Sequence, residues 1–115
     1  MKLWLDDVRP APDGWVWIRS VNEAKNAIIN ANARFVQSCK NGLPNENFLI
    51  ERISLDHDAG DYANDGGDYI RLLDWIEWLY DGEGTNIEFH LHSANPVGVQ
   101  NMRRIIQRNG WKEIM

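Results

Sequence analysis

Acidic side chains follow two separate apolar stretches of this sequence. Asp6 and Asp7 come after the first stretch, and Asp56 comes after the second. Two carboxylates ~4 Å apart repel by about 4 kcal/mol at an effective dielectric near 20. If the fold brings the three together, they must bind a cation, hold a proton or recruit an arginine. Oxygen ligands favour Mg²⁺, Ca²⁺ or Mn²⁺, and an added imidazole from His57 or His92 would suit Mn²⁺ or Zn²⁺.

Two histidines stand near the ends of apolar runs. His57 follows Asp56 directly, and His92 ends the run at residues 87–92. Imidazole titrates near neutrality, so each histidine is a candidate general acid or base. A hydrogen-bonded surface role is an equal alternative for each of them. His90 is assigned a structural role.

Groups suited to holding a phosphate lie close to the same positions in the chain. Arg9 is suited either to pairing with the acids or to gripping a phosphate through two hydrogen bonds. Ser93 and Asn95 precede a predicted helix, whose first turn offers free backbone N–H groups to an anion. Helix capping alone would also explain Asn95.

Hydrophobic periodicity predicts strands that alternate with helices. The strands are predicted at Leu3–Leu5, Trp15–Arg19, Phe48–Leu55, Ile87–His92 and Trp111–Ile114. The helices are predicted from the cap at Ser20 to Asn41, from Tyr69 to Tyr80, and from the cap at Asn95 to about Asn109. Such alternation predicts a parallel sheet with right-handed crossovers. Ligands of these sheets bind beyond the carboxyl ends of the strands, so the polar residues there are expected to meet.

Polar and apolar residues alternate in two of the predicted strands, which is unusual for strands buried on both faces. We therefore expect helices to cover only one face of the sheet. The other face is predicted to carry Trp4, Trp15, Trp17 and His90. Such a face would suit a homodimer or another partner, although packing of these tryptophans on a loop is an equal alternative.

Composition limits the classes of protein to consider. The chain has 115 residues, which predicts one domain over residues 1–115. Its net charge of −5 argues against binding to a nucleic-acid duplex. Cys39 is the only cysteine, which excludes an intrachain disulfide and a thiolate zinc cage. The apolar start is too short for a signal peptide and no stretch is long enough to span a membrane, so a cytoplasmic location is expected.

The order of these residues resembles that of the bacterial response-regulator receiver domain, which has a flavodoxin-like fold. The resemblance rests on Asp6 and Asp7 after the first strand, Asp56 after the third and Ser93 after the fourth. It implies that the acidic pair binds magnesium. It also implies that Asp56 accepts a phosphoryl group and that Ser93 contacts the phosphoryl oxygens. Asp58 stands where this family uses a backbone carbonyl as a metal ligand.

The sequence differs from ordinary receivers in three respects. No helix is predicted between the first two strands, and none after the last strand. The family's lysine at the end of the fifth strand has no clear counterpart, because Lys112 stands at the start of that strand. The fold class predicted is therefore α/β, with a receiver-like parallel sheet of about five strands and about three helices, lacking the first and last receiver helices.

Three short phrases resemble a reduced receiver-like family more closely, the cyclic-phosphate processing receiver domain. They are Leu3-Trp4-Leu5-Asp6-Asp7-Val8-Arg9-Pro10, Ser54-Leu55-Asp56-His57-Asp58 and His92-Ser93-Ala94-Asn95-Pro96. The resemblance implies metal-assisted processing or binding of a cyclic phosphate or another small phosphoester.

The predicted site combines these interpretations. The catalytic candidates are Asp56, His57, His92 and Ser93. The candidates for phosphate binding are Arg9, Ser93 and Asn95. The candidate metal ligands are Asp6, Asp7, Asp56 and Asp58, with Mg²⁺ as the expected cofactor and Mn²⁺ or Zn²⁺ as alternatives. A metal-dependent phosphoesterase is the leading hypothesis, and a stand-alone receiver phosphorylated at Asp56 or a non-catalytic interaction module are the alternatives.

Overall fold

A computed structural model describes residues 1–81 and 83–115. Within these residues the chain forms a five-stranded, wholly parallel sheet with three α-helices, which confirms the predicted receiver-like α/β class. The strands are β1 (Lys2–Leu5), β2 (Val16–Ile18), β3 (Arg52–Leu55), β4 (Glu88–Leu91) and β5 (Lys112–Glu113). The helices are α1 (Val21–Lys40), α2 (Ile70–Tyr80) and α3 (Pro96–Arg108). None of these helices is both long and apolar enough to cross a membrane.

Two helices begin where their capping residues predict. The Ser20 hydroxyl accepts a hydrogen bond from the Glu23 backbone N–H at 3.1 Å, at the start of α1. Asn95 caps α3 in the same way through the Gly98 N–H at 3.0 Å, and Pro96 occupies the first helical position. Each cap satisfies a backbone donor that the helix itself leaves unpaired.

The strand order explains why helices lie on only one side of the sheet. The order is β2-β1-β3-β4-β5, so every step after β2 moves in the same direction across the sheet. Right-handed crossovers in one direction place α1, α2 and α3 on the same face. The one step in the opposite direction, from β1 to β2, is made by a loop without a helix. The other face of the sheet therefore receives no helix from the part of the chain that the structure describes.

The covered face carries the core. Its strand residues, fully buried under the helices, are Leu3, Leu5, Ile53, Leu55 and Phe89. The residues between them on the same strands point to the open face, and most are only half-buried. In register across the open face, Trp4 pairs with Trp17 and with Ser54, and Ser54 pairs with His90. Trp15, just before β2, packs edge-on against Trp4 at 6.0 Å between ring centroids. This is the half-open sheet that the alternating strands predicted.

One predicted strand begins too early in the sequence. Phe48–Leu55 was expected to be extended, but β3 begins only at Arg52. Glu46–Phe48 form a 3-10 turn instead, because the Asn45 side chain accepts a hydrogen bond from the Asn47 N–H at 3.0 Å. Glu51 still hydrogen-bonds through its backbone to Met1 and Glu88, but the paired register begins at Arg52, opposite Lys2. β2, β4 and β5 are each one residue shorter than predicted at both ends, whereas β1 begins one residue earlier than predicted.

The Tyr69 hydroxyl ties the start of α2 to the junction between β2 and α1. It is buried and donates a hydrogen bond to the Arg19 carbonyl at 2.7 Å. Tyr69→Phe leaves that carbonyl without its partner, so we expect the free energy of unfolding to fall by roughly 1–2 kcal/mol. Urea denaturation measures this. Tyr80→Phe is the control, since the Tyr80 hydroxyl has no hydrogen bond to any described residue, and an equal loss in both variants would contradict the assignment.

Candidate functional site

The structure brings Asp6, Asp7 and Asp56 together at one edge of the sheet. Each offers a carboxylate oxygen within 4.8 Å of the others. The strand register explains why Asp6 and Asp56 are close. Leu5 pairs with Leu55, and an aspartate follows each of these leucines. Asp6 is buried, whereas the Asp56 side chain is 15% exposed. Their convergence follows from the parallel sheet, and their role as metal ligands stays a prediction.

Arg9 lies between two of these carboxylates. Its Nε is 2.9 Å from Asp6 Oδ2, and its Nη2 is 3.3 Å from Asp56 Oδ2. The repulsion among the carboxylates could be relieved by a cation, a proton or an arginine, and here an arginine contributes. The Arg9 side chain is 53% exposed, so it is free to leave the acids without disturbing the core.

Asp6 is the most strongly held of the acids. Its Oδ1 accepts hydrogen bonds from the backbone N–H groups of Val8 at 2.9 Å and Arg9 at 2.8 Å. Its Oδ2 accepts from His92 Nε2 at 3.0 Å in addition to the Arg9 contact. Burial alone raises the pKa of the Asp6 carboxyl, but the hydrogen bonds from Arg9, Val8 and His92 outweigh it and lower the pKa below its ordinary value. Both oxygens of this ionised group are occupied.

Asp7 is held by close packing. A Cβ placed on Gly60 would collide with the Asp7 carboxylate, so the loop backbone lies directly against that group. Gly60 also has φ +55°, in the left-handed region that favours glycine. The loop after β3 therefore fixes one side of the acidic cluster with backbone atoms.

His92 connects the acidic cluster to a buried serine that sequence reasoning missed. Its Nδ1 is 2.7 Å from Ser54 Oγ, which lies 2.7 Å from His90 Nδ1 as well. A carboxylate only accepts hydrogen bonds, so His92 Nε2 carries the hydrogen that points at Asp6. The neutral ring then accepts from the Ser54 hydroxyl, and Ser54 accepts from His90. The only signal for Ser54 was a small polar residue within an apolar strand.

Trp4 covers this connection. Its ring stacks on the His92 imidazole with centroids 3.8 Å apart and planes 4° from parallel. The His92 side chain keeps only 8% of its exposure, and Ser54 keeps none. Asp6, His92 and Ser54 follow one another as in a hydrolase triad, but a completely buried serine cannot reach a substrate. The connection holds Asp6 and His92 in place.

The Asp58 side chain lies apart from the other three aspartates, and the predicted role of Asp58 as a metal ligand stays a prediction. Its side chain is 62% exposed, and its Oδ1 lies 2.8 Å from His57 Nδ1. His57, Asp58 and Asp68 instead form a separate group of close ligand atoms. A Cβ on Gly98 would collide with the His57 ring, so that ring lies against the first turn of α3. Asp58 stands beyond the strand end, where His57 holds it away from the cluster.

Ser93 and Asn95 lie in the turn from β4 to α3. Ser93 Oγ accepts a hydrogen bond from the Asn95 N–H at 3.1 Å, and Asn95 caps the helix. Leu91 pairs with Leu55, so this turn starts from the same sheet edge as Asp56. Both side chains have structural partners, and their predicted phosphate contacts stay untested.

Comparison with known families agrees with this arrangement. The model of the cyclic-phosphate processing receiver domain matches residues 1–108. The chain belongs to this family. No curated protein and no solved structure matches it.

Among the described residues of this cyclic-phosphate processing receiver domain, the lysine of ordinary receivers has no counterpart at the acidic edge. Lys112 lies in β5 opposite Glu88, the first residue of β4, and its Nζ is 2.8 Å from Glu88 Oε2. These residues are at the amino ends of their strands, whereas the aspartates follow the carboxyl ends. Arg9 supplies the positive charge at the acidic edge instead.

The protonation state of His92 gives a prediction for stability. Burial lowers the pKa of His92, and this outweighs the favourable contact with Asp6. A histidine whose folded pKa is lowered stabilises the fold above its unfolded value of 6.5, and loses that contribution as the pH falls through the interval below.

We therefore expect the free energy of unfolding to be smaller at about pH 5.5 than at about pH 7.5. Urea denaturation at both values, on wild type and His92→Gln, measures the difference. The variant should show a weaker dependence on pH than wild type. An equal dependence in wild type and His92→Gln would contradict the assignment.

Proposed function

We propose that this domain is a metal-dependent phosphoesterase that binds and opens a cyclic phosphate at its acidic edge. The observation that carries the proposal is the meeting of Asp6, Asp7 and Asp56 within 4.8 Å, with Arg9 beside them. Membership of a family described as cyclic-phosphate processing supports the choice of substrate. A cluster of three carboxylates with one arginine retains negative charge, which favours a divalent cation at the same place.

The donor set fits a hard cation. All three side chains offer oxygen, and His92 is already committed to Asp6 and Ser54. Oxygen ligands without imidazole favour Mg²⁺, with Mn²⁺ next, over Zn²⁺. Asp7 and Asp56 are the ligands we propose, because Asp6 is buried and each of its oxygens has two partners. Each Asp56 oxygen has one, the His57 N–H or Arg9. A bound cation of this kind would polarise a phosphoryl oxygen and make the phosphorus easier to attack.

Arg9 is the residue we propose for holding the phosphate. Its guanidinium presents donors in a planar fork that matches phosphoryl oxygens. It is half exposed, and its contact with Asp56 at 3.3 Å is long for a charged hydrogen bond. It can therefore exchange a carboxylate for a phosphoryl oxygen. The turn with Ser93 rises from the same edge and offers backbone N–H groups to the other side of the anion.

His57 is a better general acid or base than His92. The His92 side chain is nearly buried under Trp4, whereas His57 keeps 17% of its exposure. Asp58 accepts from His57 Nδ1, which leaves Nε2 with its lone pair and no hydrogen bond to a described residue. An aspartate that fixes the tautomer of a histidine prepares the opposite nitrogen to take a proton from water.

The first experiment is hydrolysis of 2′,3′- and 3′,5′-cyclic nucleotides with Mg²⁺, Mn²⁺ or Zn²⁺. We expect turnover of at least one substrate and its loss in Asp56→Ala, because a metal ligand is removed. Calorimetric titration should show at least about tenfold weaker Mg²⁺ binding in Asp7→Ala. Asp74→Ala, an exposed aspartate on α2, is the matched control and should behave as wild type. Turnover no higher than that of Asp56→Ala across all metals would reject the proposal.

The second prediction concerns competition between Arg9 and the metal. Arg9→Gln removes the internal counter-ion, so we expect Mg²⁺ affinity to rise roughly two- to fivefold, the range of a partly exposed ion pair. The KM for a cyclic phosphate should rise in the same variant, because the phosphate loses its arginine. Calorimetry and steady-state kinetics measure these opposite effects.

Arg104→Gln is the matched control, because Arg104 is exposed on α3 and its only hydrogen bond to a charged or amide side chain of the described residues is to Asn101. It should change neither quantity. Unchanged or weaker Mg²⁺ binding in Arg9→Gln would show that the arginine does not compete with the cation.

A further inference from the structure

The open face of the sheet continues directly into the acidic edge. Residues two apart in a strand share a face, so Trp4 lies one row behind Asp6, and Ser54 lies one row behind Asp56. The two rows are about 7 Å apart, twice the rise per residue of a strand. A phosphoester bound at the edge would therefore extend its organic group over Trp4 and its neighbours.

The tryptophans of this face are held by the candidate site itself. The Trp4 indole N–H donates to the Arg9 carbonyl at 3.0 Å, and the Trp17 indole N–H donates to the Asp6 carbonyl at 2.8 Å. Both rings are half-buried, so each is fixed yet partly open to solvent. An aromatic surface already fixed in the free protein costs a ligand little ordering entropy.

The charges on this face favour an anion. Along the amino ends of the strands, Lys2, Arg52 and Lys112 outnumber Glu88, which contacts both Arg52 and Lys112. The Arg19 guanidinium adds a positive charge 3.9 Å from the Trp17 ring centroid. The chain as a whole has a net charge of −5, so this excess of basic groups is local.

We propose that the open face binds the nucleobase of a nucleotide whose phosphate lies at the acidic edge. This rests on the proposed function, and names its substrate class. Fixed, partly exposed aromatic rings suit a planar base, and the basic groups at the amino ends of the strands favour the approach of an anionic ligand. His90 is half-buried and donates to Ser54 through Nδ1, which leaves Nε2, with no hydrogen bond to a described residue, as an acceptor for a base N–H.

The experiment compares two cyclic phosphates, one that carries a ribose and a base and one that carries neither. Adenosine 2′,3′-cyclic phosphate and glycerol 1,2-cyclic phosphate both contain a five-membered cyclic phosphate, and only the first has a base. Calorimetric titration in the presence of Mg²⁺ should give at least about tenfold tighter binding of the nucleotide, the effect of stacking one base. This comparison uses the wild-type protein alone, so it does not depend on any variant folding.

Two variants then locate the base. Trp17→Leu should reduce the preference for the nucleotide to near parity, because only the nucleotide loses a stacking partner and its affinity falls further than that of the glycerol ester. Trp78→Leu is the matched control, because Trp78 is 72% exposed on α2 and should keep the preference. Retention of the preference in Trp17→Leu would place the base elsewhere and overturn the inference.

The remaining outcomes separate this inference from the proposed function. Equal affinity of wild type for the two esters would overturn the base site and leave the phosphoesterase proposal standing. Failure of both esters to bind would contradict both. Concentration-dependent dimerisation in sedimentation, abolished by Trp17→Leu, would show that a second copy of the chain occupies the face instead.

Discussion

Repulsion among three carboxylates is the constraint around which this end of the molecule is built. The parallel register of β1 and β3 places Asp6 and Asp56 side by side, and Asp7 follows in the same turn. The chain meets the electrostatic cost with local groups. Backbone N–H groups and His92 hold Asp6 in its ionised form, and Arg9 joins it to Asp56. The negative charge that remains uncompensated lies mainly on Asp7 and Asp56, the two more exposed acids, so a cation is most favourable there.

The short connection from β1 to β2 has two consequences with one cause. Because the chain turns back without a helix, Arg9 stays close to the acids that precede it. Because the same step carries no helix, the sheet face beside those acids stays open. A domain with a helix at this step would lose both the nearby arginine and the exposed tryptophans. The reduced architecture and the chemistry of its edge are therefore linked.

Much of the fold was predictable because local and long-range signals agreed. Caps at Ser20 and Asn95 set two helices, and strand ends in a parallel sheet had to bring the acids together. The 3-10 turn at Glu46–Phe48 was missed because a local cap at Asn45 outweighed the strand propensity of Phe48. This error concerns local structure, where a single side-chain hydrogen bond decides between a turn and a strand.

The polar contacts of the site were less predictable, because their partners are distant in sequence. Ser54 contacts His90 and His92, which are 36 and 38 positions away in the sequence. No rule of residue spacing predicts a buried hydroxyl between two imidazoles. The contact between His57 and Asp58 holds the Asp58 side chain apart from the other three aspartates. The sequence offered His57 and His92 equally as general acid or base. Burial separates them, because Trp4 covers His92, whereas the His57 side chain is more exposed.

The open face also has to avoid unwanted association, and its composition shows how it can remain in water. Apolar side chains alone would make it a patch prone to aggregation. The tryptophans instead have an apolar ring and a polar N–H that is satisfied within the chain. Edge strands β2 and β5 are only three and two residues long, which discourages pairing with another sheet. Charged residues next to the tryptophans of the open face have the same effect. Because the indoles bond to the backbone of Asp6 and Arg9, any group that moves these rings acts directly on the acidic edge.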